Sequence, residues 1–145
     1  MKASLENVVR TFYSKDTDVL NEFYIPCIKV SREYSRVTGY FSSLIFDLAD
    51  SAFVDFFSAG GVMRVVCSPY LSRQDAGALA KVEQNTCPER EALLALLADA
   101  ESRSSAEVLC HLVAKKMLHI KLAVLDGSDE LMHEKIGIFS DGDHA

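Results

Sequence analysis

One stretch in the first half of the chain reads as strand, helix and strand, and this succession constrains the fold more than any other feature. Residues 34–41 are rich in β-branched and aromatic side chains, which favour a strand. Over residues 44–57 apolar side chains form a wide face that is typical of a buried helix, and Gly60-Gly61 ends it. The short apolar run Val62–Cys67 is typical of a buried parallel strand. Together these segments predict a βαβ unit with a right-handed crossover, and therefore an α/β domain.

The rest of the chain continues the mixture of helices and strands. From Asp18 apolar residues recur at helical spacing, and we expect Pro26 to kink or cap this helix. Further patterns predict three helices and then two closing strands that pair as a hairpin: residues 72–83, 89–100 and 106–117, then 120–125 and 131–139. The polar residues 140–145 follow the last strand without a closing element, so we expect the domain to be truncated at its C-terminus.

Length and composition restrict the class of protein. The 145 residues, 49% of them apolar, suit one folded domain and exclude a disordered chain. The net charge of −6 is opposite to that of a protein that binds nucleic acid through a broad basic surface, so such an activity requires a local site. The N-terminus lacks a signal-peptide pattern, and no apolar run is long enough to span a membrane. The four cysteines are widely spaced, so we expect reduced thiols and a cytoplasmic location.

The predicted last strand carries the residues with the clearest chemical pattern. Because side chains alternate along a strand, His133 and Lys135 would project from one face, with the small Gly137 next to them. An imidazole can attack phosphorus and an ammonium can neutralise phosphate oxygens, so this pair suits a phosphoryl centre. The same spacing also fits an edge strand with two polar residues on its solvent face, because His-x-Lys is a short pattern.

Three separated segments resemble the phospholipase D superfamily, whose signature is His-x-Lys followed by an Asp. They are SREYSRVTGYFSS, then MRVVCSPYLS after the predicted buried helix and two glycines, and finally MHEKIGIFSD. The resemblance is closer to the phospholipase D-like module at the N-terminus of some bacterial superfamily 2 DNA helicases. It covers residues 19–141, so we divide the chain into an N-terminal extension, residues 1–17, and a phospholipase D-like domain, residues 18–145.

The resemblance implies a mixed β-sheet flanked by helices that holds one half of a phospholipase D-like site. It also implies metal-independent phosphodiester hydrolysis of a nuclease type on DNA, with His133 as the nucleophile that becomes a phosphohistidine and Lys135 holding the phosphate oxygens. No cofactor is implied for this chain, and a helicase motor domain, or the rest of a restriction or repair-type protein, would follow it. No basic amphipathic stretch indicates a membrane partner. The alternative is a catalytically inactive module that binds DNA or a partner within a helicase.

A second His-x-Lys pair competes with the first. His119 and Lys121 are followed by Asp126 at the literal spacing of the family. In the pair that begins at His133 the acid, Asp141, comes one residue late, which makes it a candidate supporting residue only. The resemblance nevertheless favours His133, because a core strand should precede the catalytic strand.

Two weaker candidates complete the set. Ser42 follows the first predicted strand, where it could contact a phosphate or cap the next helix. A metal set drawn from Cys110, His111, His119 and His133 matches no zinc pattern, so we predict no metal.

The resemblance also implies that a complete site needs two opposed His-x-Lys elements. One histidine attacks phosphorus and the other protonates the leaving oxygen. Two strands of one hairpin cannot supply both halves of a twofold site. We therefore expect a C2 homodimer with His133 and Lys135 of both copies near the axis, unless residues after Ala145 supply the second half.

Overall fold

The computed structural model describes four parts of the chain, residues 4–10, 13–83, 105–126 and 132–143. Within them the strands are β1 (Glu33–Thr38), β2 (Val62–Cys67), β3 (Leu118–Leu122) and β4 (Lys135–Ser140). The helices are α1 (Leu5–Val8), a π-helical turn (Leu20–Tyr24) that runs into α2 (Ile25–Val30), α3 (Ile45–Leu48), α4 (Asp50–Ser58), α5 (Arg73–Glu83) and α6 (Ser105–Ala114). The helix predicted over residues 89–100 lies outside the described residues.

The strands of the described residues form one mixed sheet in the order β3-β2-β1-β4. β1 runs parallel to β2 and β2 runs parallel to β3, whereas β4 is antiparallel to β1. The predicted βαβ succession is confirmed, because α3 and α4 connect the two parallel strands at the centre of the sheet. The fold is therefore an open mixed sheet flanked by helices.

The hairpin predicted for the two closing strands is wrong, because β3 and β4 lie at opposite edges of the sheet. Residues 123–134 connect them, and this segment is longer than an ordinary hairpin loop of about 2 to 5 residues. It can therefore cross the ends of β2 and β1, a distance of about 14 Å at ordinary strand spacing. Parallel pairing with β2 also lets β3 bury Leu118 in the core.

The buried side chains of the sheet all come from one face, here termed the covered face. They are Tyr34, Thr38, Met63, Val65, Cys67, Leu118 and Phe139. They share the hydrophobic core with side chains of the helices, among which the phenylalanines are the largest: Phe46, Phe53, Phe56 and Phe57. Alternation along the strands places residues such as Arg64 and His119 on the opposite face, termed the open face, where both are exposed.

Two of the predicted helices are confirmed in altered form. The helix near Pro26 begins as a π-helical turn in which the N–H of Ile25 donates to the carbonyl of Leu20. Because proline has no N–H to donate, a wider turn before it accommodates the break in the usual pattern. The helix predicted over residues 44–57 is divided into α3 and α4 at Ala49, whose φ of −120° and ψ of 34° are not helical.

The described cysteines differ in state. Cys27 and Cys67 are free and buried, and burial raises the pKa of the Cys27 thiol to about 11. Cys110 forms a disulfide bond, so the expectation of reduced thiols throughout is wrong for this residue. Spacing along a sequence does not show which distant cysteines the fold brings together.

The described helices are short. None of those in residues 4–10, 13–83, 105–126 and 132–143 combines the length and apolarity that crossing a membrane requires.

Candidate functional site

β4 begins later than the sequence pattern predicts. Residues 132–134 are not in a strand, and β4 starts at Lys135, which pairs with Thr38 at the end of β1. His133 therefore lies in the segment that leads into β4, and the expectation that His133 and Lys135 alternate along one strand is wrong. Residues 132–134 are termed the lead-in segment below.

Two contacts hold the lead-in segment over the ends of the central strands. The N–H of Met132 donates to Oγ of Ser68, the residue after β2, at 3.2 Å. The segment also passes against Gly39, the residue after β1. A Cβ atom built at Gly39 would collide with the carbonyl oxygen of Met132 and would lie 3.9 Å from the Cα atom of His133. The lead-in segment therefore crosses the carboxyl ends of β1 and β2, and glycine at position 39 makes room for it.

The carboxyl ends of parallel strands are where open α/β sheets commonly bind ligands. His133 and Lys135 are both exposed at this edge, so a phosphate group can reach the imidazole and the ammonium from solvent. Thr38 beside them is buried, and its hydroxyl already donates to the carbonyl of Tyr40 at 3.0 Å. Among the side chains and backbone groups of the described ranges, none hydrogen-bonds to the His133 ring. A further group is needed to orient that ring for catalysis.

Asp141 lies far from the residues it was predicted to assist. β4 runs from Lys135, at the carboxyl end of β1, to Ser140 at the opposite end of the sheet. Asp141 is therefore about 20 Å from Lys135 along the strand. Its carboxylate is buried and accepts the backbone N–H of Leu5 at 2.8 Å and that of Asp143 at 3.0 Å. This placement gives Asp141 a structural role, because its hydrogen bond with Leu5 connects α1 to the end of β4.

The competing His-x-Lys pair lies elsewhere on the molecule. His119 and Lys121 are exposed on the open face of β3, the edge strand opposite β4. His119 pairs across the strands with Arg64, a second basic residue, which forms an exposed salt bridge to Glu33 at 2.9 Å. Three strand spacings, about 14 Å, separate β3 from β4. The two His-x-Lys pairs of one chain therefore do not form a common site.

The serines that follow β1 have different surroundings. Ser42 Oγ accepts the N–H of Leu44 at 3.3 Å, which is a local turn contact. Ser43 is buried, and its N–H (3.1 Å) and hydroxyl (2.5 Å) both donate to the carboxylate of Asp75, which is 1% exposed. Sequence reasoning missed this link between the α3 and α5 regions. The only signal was the pattern Ser72-x-x-Asp75, which indicates a helix start, and the Asp75 N–H does donate to Ser72 Oγ at 3.0 Å.

The four residues that could be combined into a metal set, Cys110, His111, His119 and His133, lie in different parts of the fold. The first two are buried in α6, whereas His119 is exposed on β3 and His133 is exposed in the lead-in segment. Across the described ranges no group of three His, Cys, Asp or Glu side chains could hold a metal ion.

Comparisons of the chain with protein-family models, with curated proteins and with solved structures found no match. The resemblance to the phospholipase D superfamily therefore rests on the motifs quoted above. The fold and the site together define an α/β domain that has an exposed histidine and an exposed lysine at the carboxyl end of the parallel strands of an open sheet.

Proposed function

We propose that this chain is a metal-independent phosphodiesterase of the nuclease type, with DNA as its substrate and His133 as its nucleophile. The observation that carries the proposal is the course of the lead-in segment across the carboxyl ends of β1 and β2, where His133 and Lys135 are open to solvent. An open edge suits a phosphodiester, because the scissile group lies within a long chain that a closed cavity would exclude. As the resemblance implies, the domain would stand at the N-terminus of a DNA helicase or of a restriction or repair-type protein.

The reaction would proceed by two displacements at phosphorus. A ring nitrogen of His133 forms a P–N bond while the P–O bond to the leaving group breaks, and the Lys135 ammonium neutralises the non-bridging oxygens as charge builds on them. The leaving oxygen takes a proton in this step, because an alkoxide leaves poorly at neutral pH. Water then attacks the phosphohistidine, the P–N bond breaks, and a phosphomonoester and free His133 result.

A second acid has to donate that proton, and His119 of the same chain lies on the wrong edge strand. A second copy of the chain would supply its own His133 across a twofold axis. Antiparallel pairing of two β4 edges would not bring the histidines together, since it would separate them by on the order of 30 Å. The axis therefore belongs beside the carboxyl end of the sheet, between the two lead-in segments. A segment outside this sequence is the other source of the second histidine.

Hydrolysis of bis(p-nitrophenyl) phosphate and of single-stranded DNA in EDTA tests the proposal. We expect turnover by the wild type, a loss of about a thousandfold or more in His133→Ala, and little change in the matched control His119→Ala. Mass spectrometry of rapidly quenched protein should find the aryl phosphoryl group on His133. Activity that survives His133→Ala but not His119→Ala would overturn the assignment, and so would a strict requirement for magnesium.

Light scattering at micromolar concentration tests the twofold arrangement. We expect a dimer whose specific activity falls on dilution, because each site needs both copies. A strictly monomeric and inactive chain would contradict the homodimer and would indicate that the second half comes from another segment.

A second candidate function is a DNA- or partner-binding module without turnover. This function is favoured because no hydrogen bond from the described residues orients the His133 ring for catalysis. Fluorescence anisotropy with labelled single-stranded DNA separates the two functions. Binding without cleavage, unchanged in His133→Ala, would support the binding module.

A further inference from the structure

A cavity of about 310 Å³ lies beside the covered face of the sheet, between β1 and the helices on either side of it in sequence. Its walls are apolar side chains of the π-helical turn, α2, α3 and α4, and β1 contributes Tyr34 and Arg36. The volume is at the lower end of the range for small-molecule sites, about 300 to 1,000 Å³. Such sites commonly combine apolar walls with a few polar groups that orient the ligand, and here Arg36 is the charged one.

Arg36 is a half-buried cation held by neutral groups. Its Nη1 donates to the Tyr34 hydroxyl at 3.0 Å, and its Cζ atom lies 6.0 Å from the centroid of the Tyr24 ring. Burial is the largest single influence on Arg36 and would lower its pKa, but the hydrogen bond to Tyr34 and the further interactions with Tyr34 and Tyr24 together raise the pKa, so the guanidinium stays charged. Burial also raises the pKa of Tyr34, which keeps that hydroxyl neutral. The Tyr34 hydroxyl therefore does not cancel the charge of Arg36.

The arginine on the neighbouring strand shows the contrast. Arg64 of β2 lies on the open face, where it binds both carboxylate oxygens of Glu33, at 2.9 and 3.3 Å. Within the described ranges no carboxylate lies in salt-bridge distance of Arg36. The exposed Arg64 has a counter-ion, although water already stabilises its charge, whereas the half-buried Arg36 has no counter-ion among the described residues. A charge that is partly removed from water without a counter-ion costs free energy, so binding an anion there is favourable.

We infer that the cavity binds an organic monocarboxylate with an apolar body, whose carboxylate supplies the missing counter-charge to Arg36. The planar guanidinium offers parallel N–H donors that match a carboxylate. One cation balances one negative charge, whereas a phosphate dianion would bring an uncompensated charge against apolar walls. The apolar body packs against buried lining residues such as Ile28 and Phe53.

The opening of the cavity fits the same class of ligand. Two of its lining residues, Val19 and Leu48, are 41% and 67% exposed, so the mouth is apolar as well. The π-helical turn contributes Leu20 and Tyr24 to the wall, and such turns are frequent at functional sites. The cavity lies beside the covered face and neither His133 nor Lys135 lines it, so the inference does not depend on the phosphodiesterase proposal.

Isothermal titration calorimetry with octanoate tests the inference, and octanamide, of the same length but without charge, is the matched ligand control. We expect octanoate to bind the wild-type chain at least about tenfold more tightly than octanamide, since only octanoate neutralises Arg36. Arg36→Met keeps the apolar stem without the charge and should weaken octanoate binding about tenfold or more. The matched variant Arg64→Met should leave the affinity unchanged, because Arg64 lies on the open face.

Three results would overturn the inference: equal affinity for octanoate and octanamide, unchanged octanoate affinity in Arg36→Met, or no octanoate binding at millimolar concentration. The comparison of the two ligands uses the wild-type chain, so it decides the matter even if Arg36→Met does not fold. In the wild type, the Nε–H resonance of Arg36 should shift on addition of octanoate and stay in place on addition of octanamide.

Discussion

A methyl group at Gly39 should displace the lead-in segment that carries His133. A Cβ atom at this position would collide with the carbonyl oxygen of Met132 and would lie 3.3 Å from its carbonyl carbon. The colliding group is backbone, so no side-chain rotation relieves the contact. The segment has to retreat by about 1 Å to restore ordinary van der Waals separation.

The size of the effect of Gly39→Ala follows from the two ways in which the chain can respond. If the segment stays in place, overpacking costs about 1 to 3 kcal/mol. If it lifts away, the hydrogen bond from Met132 to Ser68 is lost, which costs about 1 kcal/mol together with the contacts around it. We therefore expect the free energy of unfolding to fall by about 1 to 3 kcal/mol. A shift of about 1 Å at His133 should also reduce phosphodiester turnover about a hundredfold.

Urea unfolding followed by circular dichroism measures the change in stability. Amide hydrogen exchange at the start of β4 measures whether the lead-in segment has moved away from the sheet. Gly77→Ala is the matched control: nothing lies within 4 Å of a Cβ atom there, in the middle of α5. The control should be neutral or stabilising by about 0.5 to 1 kcal/mol, because alanine favours a helix. Unfolding and exchange in Gly39→Ala that match the wild type would refute the packing of the lead-in segment on β1.

Three further changes test the buried polar groups. Asp75→Ala should destabilise the chain by about 2 to 4 kcal/mol, because Ser43 loses the acceptor for both its buried N–H and its hydroxyl. Asp141→Ala should cost about 1 to 3 kcal/mol by leaving the Leu5 N–H without its acceptor, while turnover per folded molecule stays unchanged. Burial raises the pKa of Cys27 from 9.0 to about 11, so its stabilising contribution is present below pH 9 and is lost as pH rises to 11. Between pH 8 and 10.5 Cys27→Ala should remove about 2 kcal/mol of that alkaline loss.

Urea midpoints measure the two aspartate variants, and Asp55→Ala on the exposed side of α4 is their control, with an expected change below about 0.5 kcal/mol. An Asp75→Ala midpoint equal to that of the control would contradict the buried link to Ser43. If Asp141→Ala lost turnover while the protein stayed fully folded, the purely structural role of Asp141 would be contradicted. Unfolding curves at pH 8 and 10.5 test the cysteine, and equal pH slopes in Cys27→Ala and wild type would show that another group causes the loss.

Local patterns in the sequence were enough to predict most of the elements. Val62–Cys67 is a strand with the predicted bounds, and the βαβ succession around it is present. The helices predicted near Pro26 and over residues 72–83 and 106–117 appear with small shifts at their ends. Such predictions succeed because the spacing of apolar residues reports which side of an element is buried, and that depends on neighbours in the chain.

The position of each element in the sheet was decided by the tertiary structure. The spacing of apolar residues in β3 and β4 would be the same whether the two strands paired as a hairpin or lay at opposite edges of the sheet. Only the packed sheet shows which arrangement is present. For the same reason the two His-x-Lys pairs are close in sequence, yet they belong to strands that lie about 14 Å apart at opposite edges of the sheet. The start of β4 likewise depends on Gly39 and Ser68, which are distant in sequence from His133.

The chemistry of individual side chains was decided in the same way. Arg36 and Arg64 lie on neighbouring strands, yet one lines a cavity and the other forms a salt bridge in solvent. The link between Ser43 and Asp75 spans 32 residues. A sequence pattern determines which residues can be buried or charged. The free energy of a charge or a hydrogen bond depends on the groups and the water around it, and only the folded chain determines those surroundings.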